Sequence, residues 1–143
     1  MRVIWDEPAR AAVARLGVGI EAVWAVLFTA QHAALTIALA TPLEEERSLT
    51  VAAIDLGEAM GELEWVRPDL ATTGTVIDLG DTAGADVEEC RSALTGLLRI
   101  GMEAVLAALQ DPAGGGSTPE LLALARTATL LGQAHLHVTG SLP

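Results

Sequence analysis

Residues 18–40 constrain the fold more than any other part of the sequence. They read VGIEAVWAVLFTAQHAALTIALA, and apolar side chains occur on nearly every side of the helical wheel. A helix that is apolar all round must be surrounded by other helices or by lipid. We therefore expect this segment to be the central helix of a bundle. One narrow stripe is more polar and predicts the edge that contacts water: Glu21, Ala25, Thr29, His32 and Thr36.

The same segment approaches the length of a membrane span. It contains polar side chains at Thr29, Gln31 and His32, and Arg residues do not flank its ends, so a buried helix is the preferred interpretation and a single span the alternative. The single cysteine, Cys90, excludes an internal disulfide and suits a reducing compartment. Residues 1–10 lack an apolar signal core. These features predict a cytoplasmic protein without a membrane segment.

The composition is apolar and acidic. Hydrophobic residues make up 51% of the chain, charged residues 19%, and the net charge is −11. Such a chain lacks the basic face that nucleic-acid binding requires, and anionic membranes are disfavoured for the same reason. Lys, Asn and Tyr are absent, which indicates a high-GC bacterial genome. The surplus of apolar residues predicts either a partner subunit or an enclosed hydrophobic ligand.

Local signals place five helical segments. Asp6 is expected to cap a first helix that ends at Leu16, and Gly17 and Gly19 then interrupt the helical pattern. A short helix followed by a long one is preferred over a single kinked helix through residues 7–40.

Three Ser/Thr/Asp-x-x-Glu signatures predict the next helix starts. They begin at Thr41, Asp86 and Ser117. Breakers mark the expected ends at Arg67-Pro68, Asp111-Pro112 and Gly140. Residues 113–116 read as a flexible linker, and residues 141–143 are expected to fray.

Residues 69–84 form the least regular part of the sequence. Thr75–Leu79 could form a brief extended segment, but a lone strand has nothing to pair with. We expect a loop that crosses the end of the bundle. The overall prediction is one all-α domain over residues 1–143, an antiparallel up-and-down four-helix bundle with a short extra N-terminal helix.

Groups that carry chemistry are few. His135 and His137 lie two residues apart, on opposite sides of a helix, which does not suit a shared metal ion. The carboxylate row Asp55, Glu58 and Glu62 faces away from the apolar seam and is expected to be a solvated surface. Cys90 and His135 are expected at similar distances from one end of the bundle, measured along their helices. They would form a thiol–imidazole pair if their side chains met. We expect no catalytic, cofactor-binding or metal-binding residues.

The leading functional hypothesis is a non-enzymatic helical protein that forms a homodimer or docks a protein partner. The alternative is a protein that binds or sequesters a hydrophobic small molecule within the bundle. The residues expected to line that pocket are Trp24, Phe28, Trp65, Cys90, Gly101, Ala104 and His135.

Overall fold

The chain is all-helical in the residues that the computed structural model describes, which are 3–80, 85–111 and 117–140. This confirms the predicted all-α class. Within those ranges there are six helices and no strand: α1 (Asp6–Leu16), α2 (Ile20–Leu39), α3 (Leu43–Val66), α4 (Leu70–Thr73), α5 (Val87–Gln110) and α6 (Thr118–Thr139). The predicted glycine linker and the C-terminal end lie outside the described residues.

Glycines in left-handed conformations separate and end helices as the sequence indicates. Gly17 and Gly19 have φ of 79° and 153°, a region that residues with a Cβ avoid. They break the chain into α1 and α2 rather than kinking one helix. Gly140, at φ 82°, closes α6 by donating its N–H to the carbonyl of Leu136 at 2.7 Å.

Only one of the predicted side-chain caps is present among the described helix starts. Ser117 Oγ accepts a hydrogen bond from the Glu120 N–H at 3.4 Å. Thr41 does not cap α3, because its hydroxyl donates to the Ile37 carbonyl in the last turn of α2. Asp86 makes no side-chain cap bond, and Asp6 lies inside α1 rather than before it. α5 and α6 begin where their signatures predict, whereas α3 begins one residue later and α1 one residue earlier than expected. Two of the three signatures do not act as caps.

The four long helices contact one another in a ring. α2 packs against α3 and α5, and α6 packs against the same two helices. α1 lies outside this ring, against α2 and α5. The core is built from leucine and alanine, which allow close approach of the helices. Its fully buried leucines are Leu27, Leu49, Leu56, Leu63, Leu70, Leu94, Leu97, Leu98 and Leu131.

Contacts between helices fix their directions. His137 pairs with Asp55 and Arg126 with Glu62, so α6 is antiparallel to α3. Arg91 Nη1 reaches the Val138 carbonyl, and Gly101 lies against Leu131.

These last contacts make α6 antiparallel to α5 as well. Consequently α3 and α5 run parallel to each other. The strict up-and-down order of four successive helices, expected from the sequence, differs from this arrangement.

The connection from α3 to α5 explains the difference. After the short helix α4, its residues 74–80, which we call the strap, begin beside the Trp24 ring at Gly74 and line the same cavity as Thr36 and Ile37 of α2. Twelve helical residues rise about 18 Å, and six extended residues span about 20 Å, so the lengths match. The strap therefore runs along α2 and does not cross the end of the bundle.

Among the described residues, two helices are long and apolar enough to cross a membrane, judged by length and composition alone. They are α2 and α5, and 67% and 39% of their most apolar windows are buried inside the protein. The greater burial of α2 is what a central helix surrounded by α3, α5 and the strap requires.

Candidate functional site

A cavity of about 460 Å³ lies between the outer side of α2 and the strap. Its volume falls in the range of small-molecule sites, roughly 300–1,000 Å³. The described residues that line it are Trp5, Phe28, Thr29, His32, Ala33, Thr36, Ile37, Val76, Ile77, Asp78, Leu79, Gly80 and Cys90. Most of these side chains are apolar, and Trp5, the residue just before α1, closes the side next to α5.

An aromatic ladder on α2 forms one wall of the cavity. The Trp24 and Phe28 rings stack with centroids 5.1 Å apart, and the His32 ring lies 4.2 Å from Phe28. Residues at i and i+4 of a helix are neighbours on its surface, which brings these rings together. The chain has three Trp and one Phe; Trp5 and Phe28 line the cavity, and Trp24 stacks behind Phe28.

Polar groups in the wall are mostly satisfied within the protein. Thr29 Oγ1 donates to the Ala25 carbonyl and Thr36 Oγ1 to the His32 carbonyl, both at 2.8 Å. His32 Nδ1 lies 3.1 Å from the Phe28 carbonyl. That contact requires the proton on Nδ1 and leaves Nε2 to accept in the neutral ring. Because these donors are already used, the wall behaves as a largely apolar surface.

The strap reaches this position through one close contact. A Cβ at Gly74 would lie 2.3 Å from a Trp24 ring carbon and 2.5 Å from the Leu70 carbonyl oxygen. Only glycine therefore lets the backbone pass so near a rigid ring. Ile77, which is 6% exposed, anchors the strap further along.

Cys90 lies in the wall opposite α2. Burial raises the pKa of its thiol above the ordinary value of a cysteine, and the nearby carboxylates of Asp86 and Glu89 raise the pKa further. The thiol therefore stays protonated at neutral pH, which is the opposite of an activated nucleophile.

Trp5 separates this cavity from a second one. The second cavity, of about 630 Å³, lies between residues 3–6 and α5 and is bordered by Glu89, Gly96 and Arg99. The indole N–H of Trp5 is buried and has no hydrogen-bond partner among the described residues. Leaving such a donor unsatisfied costs about 1–3 kcal/mol. The wall of this second cavity is more polar than the wall of the cavity beneath the strap.

The seven residues expected to line a pocket inside the bundle do not lie at one place. Phe28 and Cys90 line the strap cavity, and Trp24 stacks behind Phe28. Val26 and Leu131 fill the space at Gly101.

The remaining three lie elsewhere. Ala104 borders a smaller cavity of about 210 Å³ near Ala22. His135 is buried, with Nδ1 3.2 Å from Thr139 Oγ1. Trp65 is 86% exposed on the outside of α3. Cys90 and His135 therefore do not form the thiol–imidazole pair that their depth allowed.

The carboxylate row on α3 differs from the fully solvated surface predicted for it. Asp55 is 8% exposed, and its Oδ2 lies 2.8 Å from His137 Nδ1. Glu62 pairs with Arg126 at 3.3 Å, and Glu58 is exposed. Within the described ranges, no three His, Cys, Asp or Glu residues come together as a metal site. Two carboxylates of the row, Asp55 and Glu62, thus connect α3 to α6.

An exposed surface with apolar residues lies on the outer side of α3 and extends to α6. Ile54, Glu58, Gly61 and Trp65 follow each other at steps of four and three, and so share one face of α3. Ile54 is 55% exposed and Trp65 is 86% exposed. Glu58, Gly61, Glu62, Trp65 and Arg126 border a shallow groove between α3 and α6. We call this the Trp65 face.

Sequence reasoning missed the strap residues as part of a site. The polar stripe on α2 was expected to contact water, yet Ala25 and Thr29 are buried. Ile77 and Leu79 were the available signal, because residues two apart on an extended segment share one side, and an apolar side requires something to cover it. No protein-family model, curated protein or solved structure matches this chain.

Proposed function

We propose that the protein is a non-enzymatic helical interaction protein that self-associates through the Trp65 face. The observation that carries this proposal is the 86% exposure of Trp65. Trp is among the residues most enriched at interface hot spots, and a fully solvated Trp leaves a large apolar area in water. Burial of that ring against another protein surface would remove this cost.

The charges of the Trp65 face support a second copy as the occupant. The face carries carboxylates at Glu58 and Glu62 and a guanidinium at Arg126. In a two-fold dimer the same patch meets itself, so Arg126 of one copy is able to face Glu58 of the other. The step of one helical turn from Glu58 to Glu62 keeps both acids within that patch.

The arrangement of the chemical groups supports a function without catalysis. The Cys90 thiol, whose pKa is raised by burial, and the His135 imidazole are the two groups that chemistry would need together. They are held by different surroundings, the strap cavity and Thr139. We also propose a cytoplasmic location, supported by the single cysteine and by the burial of two thirds of the apolar window in α2.

We further propose that the four long helices act as one four-helix bundle. The support is the closed ring in which α2 and α6 each pack against both α3 and α5. In this proposal the strap runs antiparallel to α3 and to α5, so that the direction of the chain alternates from α2 through α3, the strap and α5 to α6. α3 and α5 then occupy diagonal corners of the bundle.

Sedimentation velocity over a range of concentrations tests self-association. We expect the wild-type chain to shift from monomer to dimer, and Trp65→Ser to remain monomeric. Leu43→Ser is the matched control, because Leu43 is 84% exposed on the same helix but lies at its other end. A wild-type chain that stays monomeric, or a dimer that Trp65→Ser leaves intact, contradicts the proposal. A monomer that instead captures another protein through Trp65 replaces the second copy as occupant.

A second candidate function is binding of a hydrophobic small molecule. The cavity of about 460 Å³ beneath the strap favours it, although it lies outside the helix ring rather than inside it. Self-association and ligand binding involve different surfaces, so either can hold without the other.

A further inference from the structure

We propose that the cavity beneath the strap is a binding site for small aromatic molecules that are neutral, and that it discriminates against anionic ones. This inference rests on the second candidate function and adds the chemical class of the ligand. Three properties of the wall carry it: its flat aromatic surface, its charge and its closure by the strap.

The flat surface comes from Phe28 and His32. Their rings follow the Trp24 ring along α2 at centroid distances of 5.1 and 4.2 Å. Phe28 is only half-buried, and His32 is exposed at the cavity. An aromatic ligand ring would therefore continue the ladder, since offset aromatic pairs are favourable at separations of roughly 4.5–7 Å.

The charge of the wall excludes anions. Asp78 is the only residue in the described lining with a carboxylate, and no Arg is among those residues. The chain contains no Lys. A ligand carboxylate, sulfonate or phosphate would lose part of its hydration there and meet the Asp78 carboxylate, with no guanidinium in the described lining and only the neutral form of His32 as a partner.

The strap limits the size of the ligand. Its backbone is held to Trp24 at Gly74 and to the core at Ile77, and the Gly80 N–H donates to Asp78 Oδ1 at 2.9 Å. The contacts at Gly74 and Ile77 keep the strap beside α2, the Gly80–Asp78 bond is internal to the strap, and about 460 Å³ is left between strap and helix. A volume of this order suits a ligand of two or three rings.

The test uses two fluorescent probes that share one scaffold. N-phenyl-1-naphthylamine is neutral, and 1-anilinonaphthalene-8-sulfonate is the same molecule with one sulfonate. We expect the neutral probe to bind with enhanced emission, to receive energy from Trp excitation, and to bind at least about tenfold more tightly than the sulfonate.

Matched variants locate the site. Thr36→Phe fills the cavity from an exposed position on α2, and Thr129→Phe makes the same change on α6. Both threonines donate to the carbonyl four residues earlier, so the substitutions disturb their helices alike. We expect Thr36→Phe to weaken binding of the neutral probe at least about tenfold and Thr129→Phe to leave it unchanged.

The outcomes separate the layers of the proposal. Equal binding of both probes at a site that Thr36→Phe blocks overturns the charge selection but keeps the hydrophobic site. No binding of either probe, or identical binding in the two Thr→Phe variants, overturns the site itself. Loss of binding in Trp65→Ser places the probe on the Trp65 face and also overturns the cavity site. Circular dichroism of each variant shows whether the fold is retained.

Discussion

The two sides of α2 are covered in different ways. Toward α3 and α5 it meets helices, and the side chains there interlock: Val26 and Leu131 fill the space beside Gly101. Toward the strap it meets a single extended segment, and about 460 Å³ stays open. Helices present ridges and grooves that fill one another, whereas a lone extended segment presents too few side chains to do so. The cavity beside α2 therefore exists because an extended segment, and not a helix, covers that side of it.

The largest expected effect is on the free energy of unfolding, and it compares a buried residue of a helix packed on α2 with a buried residue of the strap. Leu63 is fully buried in α3, and Leu63→Ala is expected to lower the free energy of unfolding by about 2–5 kcal/mol. Ile77 on the strap is also buried, but a strap can detach locally while the helices stay packed. Ile77→Ala is therefore expected to cost about 1 kcal/mol.

Urea denaturation of both variants measures this difference. Equal losses for Leu63→Ala and Ile77→Ala would mean that the strap is as much a part of the core as α3, which breaks the comparison.

The next effect concerns how the strap begins. Gly74→Ala places a methyl group 2.3 Å from the Trp24 ring and 2.5 Å from a backbone carbonyl, and overpacking of this kind costs about 1–3 kcal/mol. Gly132→Ala is the control, because nothing lies within 4 Å of its added Cβ. In a helix, that change is expected to stabilise the protein by up to about 1 kcal/mol.

Thermal and urea unfolding curves report both changes. If Gly74→Ala behaves like Gly132→Ala, the strap does not pass closely over Trp24.

A smaller effect is expected from the polar contact between α3 and α6. His137→Ala removes the partner of the buried Asp55 carboxylate, which is expected to cost about 1–2 kcal/mol. Gln133→Ala changes an exposed residue one turn earlier on α6 and is expected to have little effect. A double-mutant cycle with Asp55→Ala measures the coupling, and additive losses would show that the two side chains do not interact.

The last prediction concerns the rate at which the Cys90 thiol is alkylated. Because the pKa of the folded thiol is raised, the unfolded thiol ionises first as pH rises. Folding therefore loses stability above the unfolded thiol's pKa, and alkylation by iodoacetamide is expected to be slow at pH 7 and faster at high pH.

The same protein unfolded in urea is the reference for this reaction. Alkylation of the folded protein at pH 7 as fast as in urea would show that the thiol is neither buried nor poorly ionised. The partial burial of Cys90 in the cavity wall would then be incorrect.

Most helix limits were predictable because their causes are local. Gly17, Gly19 and Gly140 interrupt a helix wherever they occur in such patterns, and Ser117 caps the turn that follows it. Thr41 shows the limit of this reasoning, since its hydroxyl had two backbone partners within reach and took the one in α2.

The cavity was not predictable because it depends on tertiary structure. Thr29, His32 and Thr36 satisfy their polar atoms on their own helix, so their polarity did not indicate water on that side. Nothing local to residues 74–80 specifies α2 as their neighbour. Trp65 illustrates the converse, because an apolar residue in a bundle seam and one on an outer face look alike in sequence.

The course of the strap is tested most directly by paramagnetic relaxation. A nitroxide on Leu39→Cys, in a Cys90→Ser background, marks the end of α2 that the strap approaches; Leu39 is 87% exposed. We expect strong broadening of the amide signals of residues 78–80, which line the same cavity as Thr36 and Ile37. A loop that crossed the other end of the bundle would lie about 27 Å away along α2. Unbroadened signals for residues 78–80 would contradict the account.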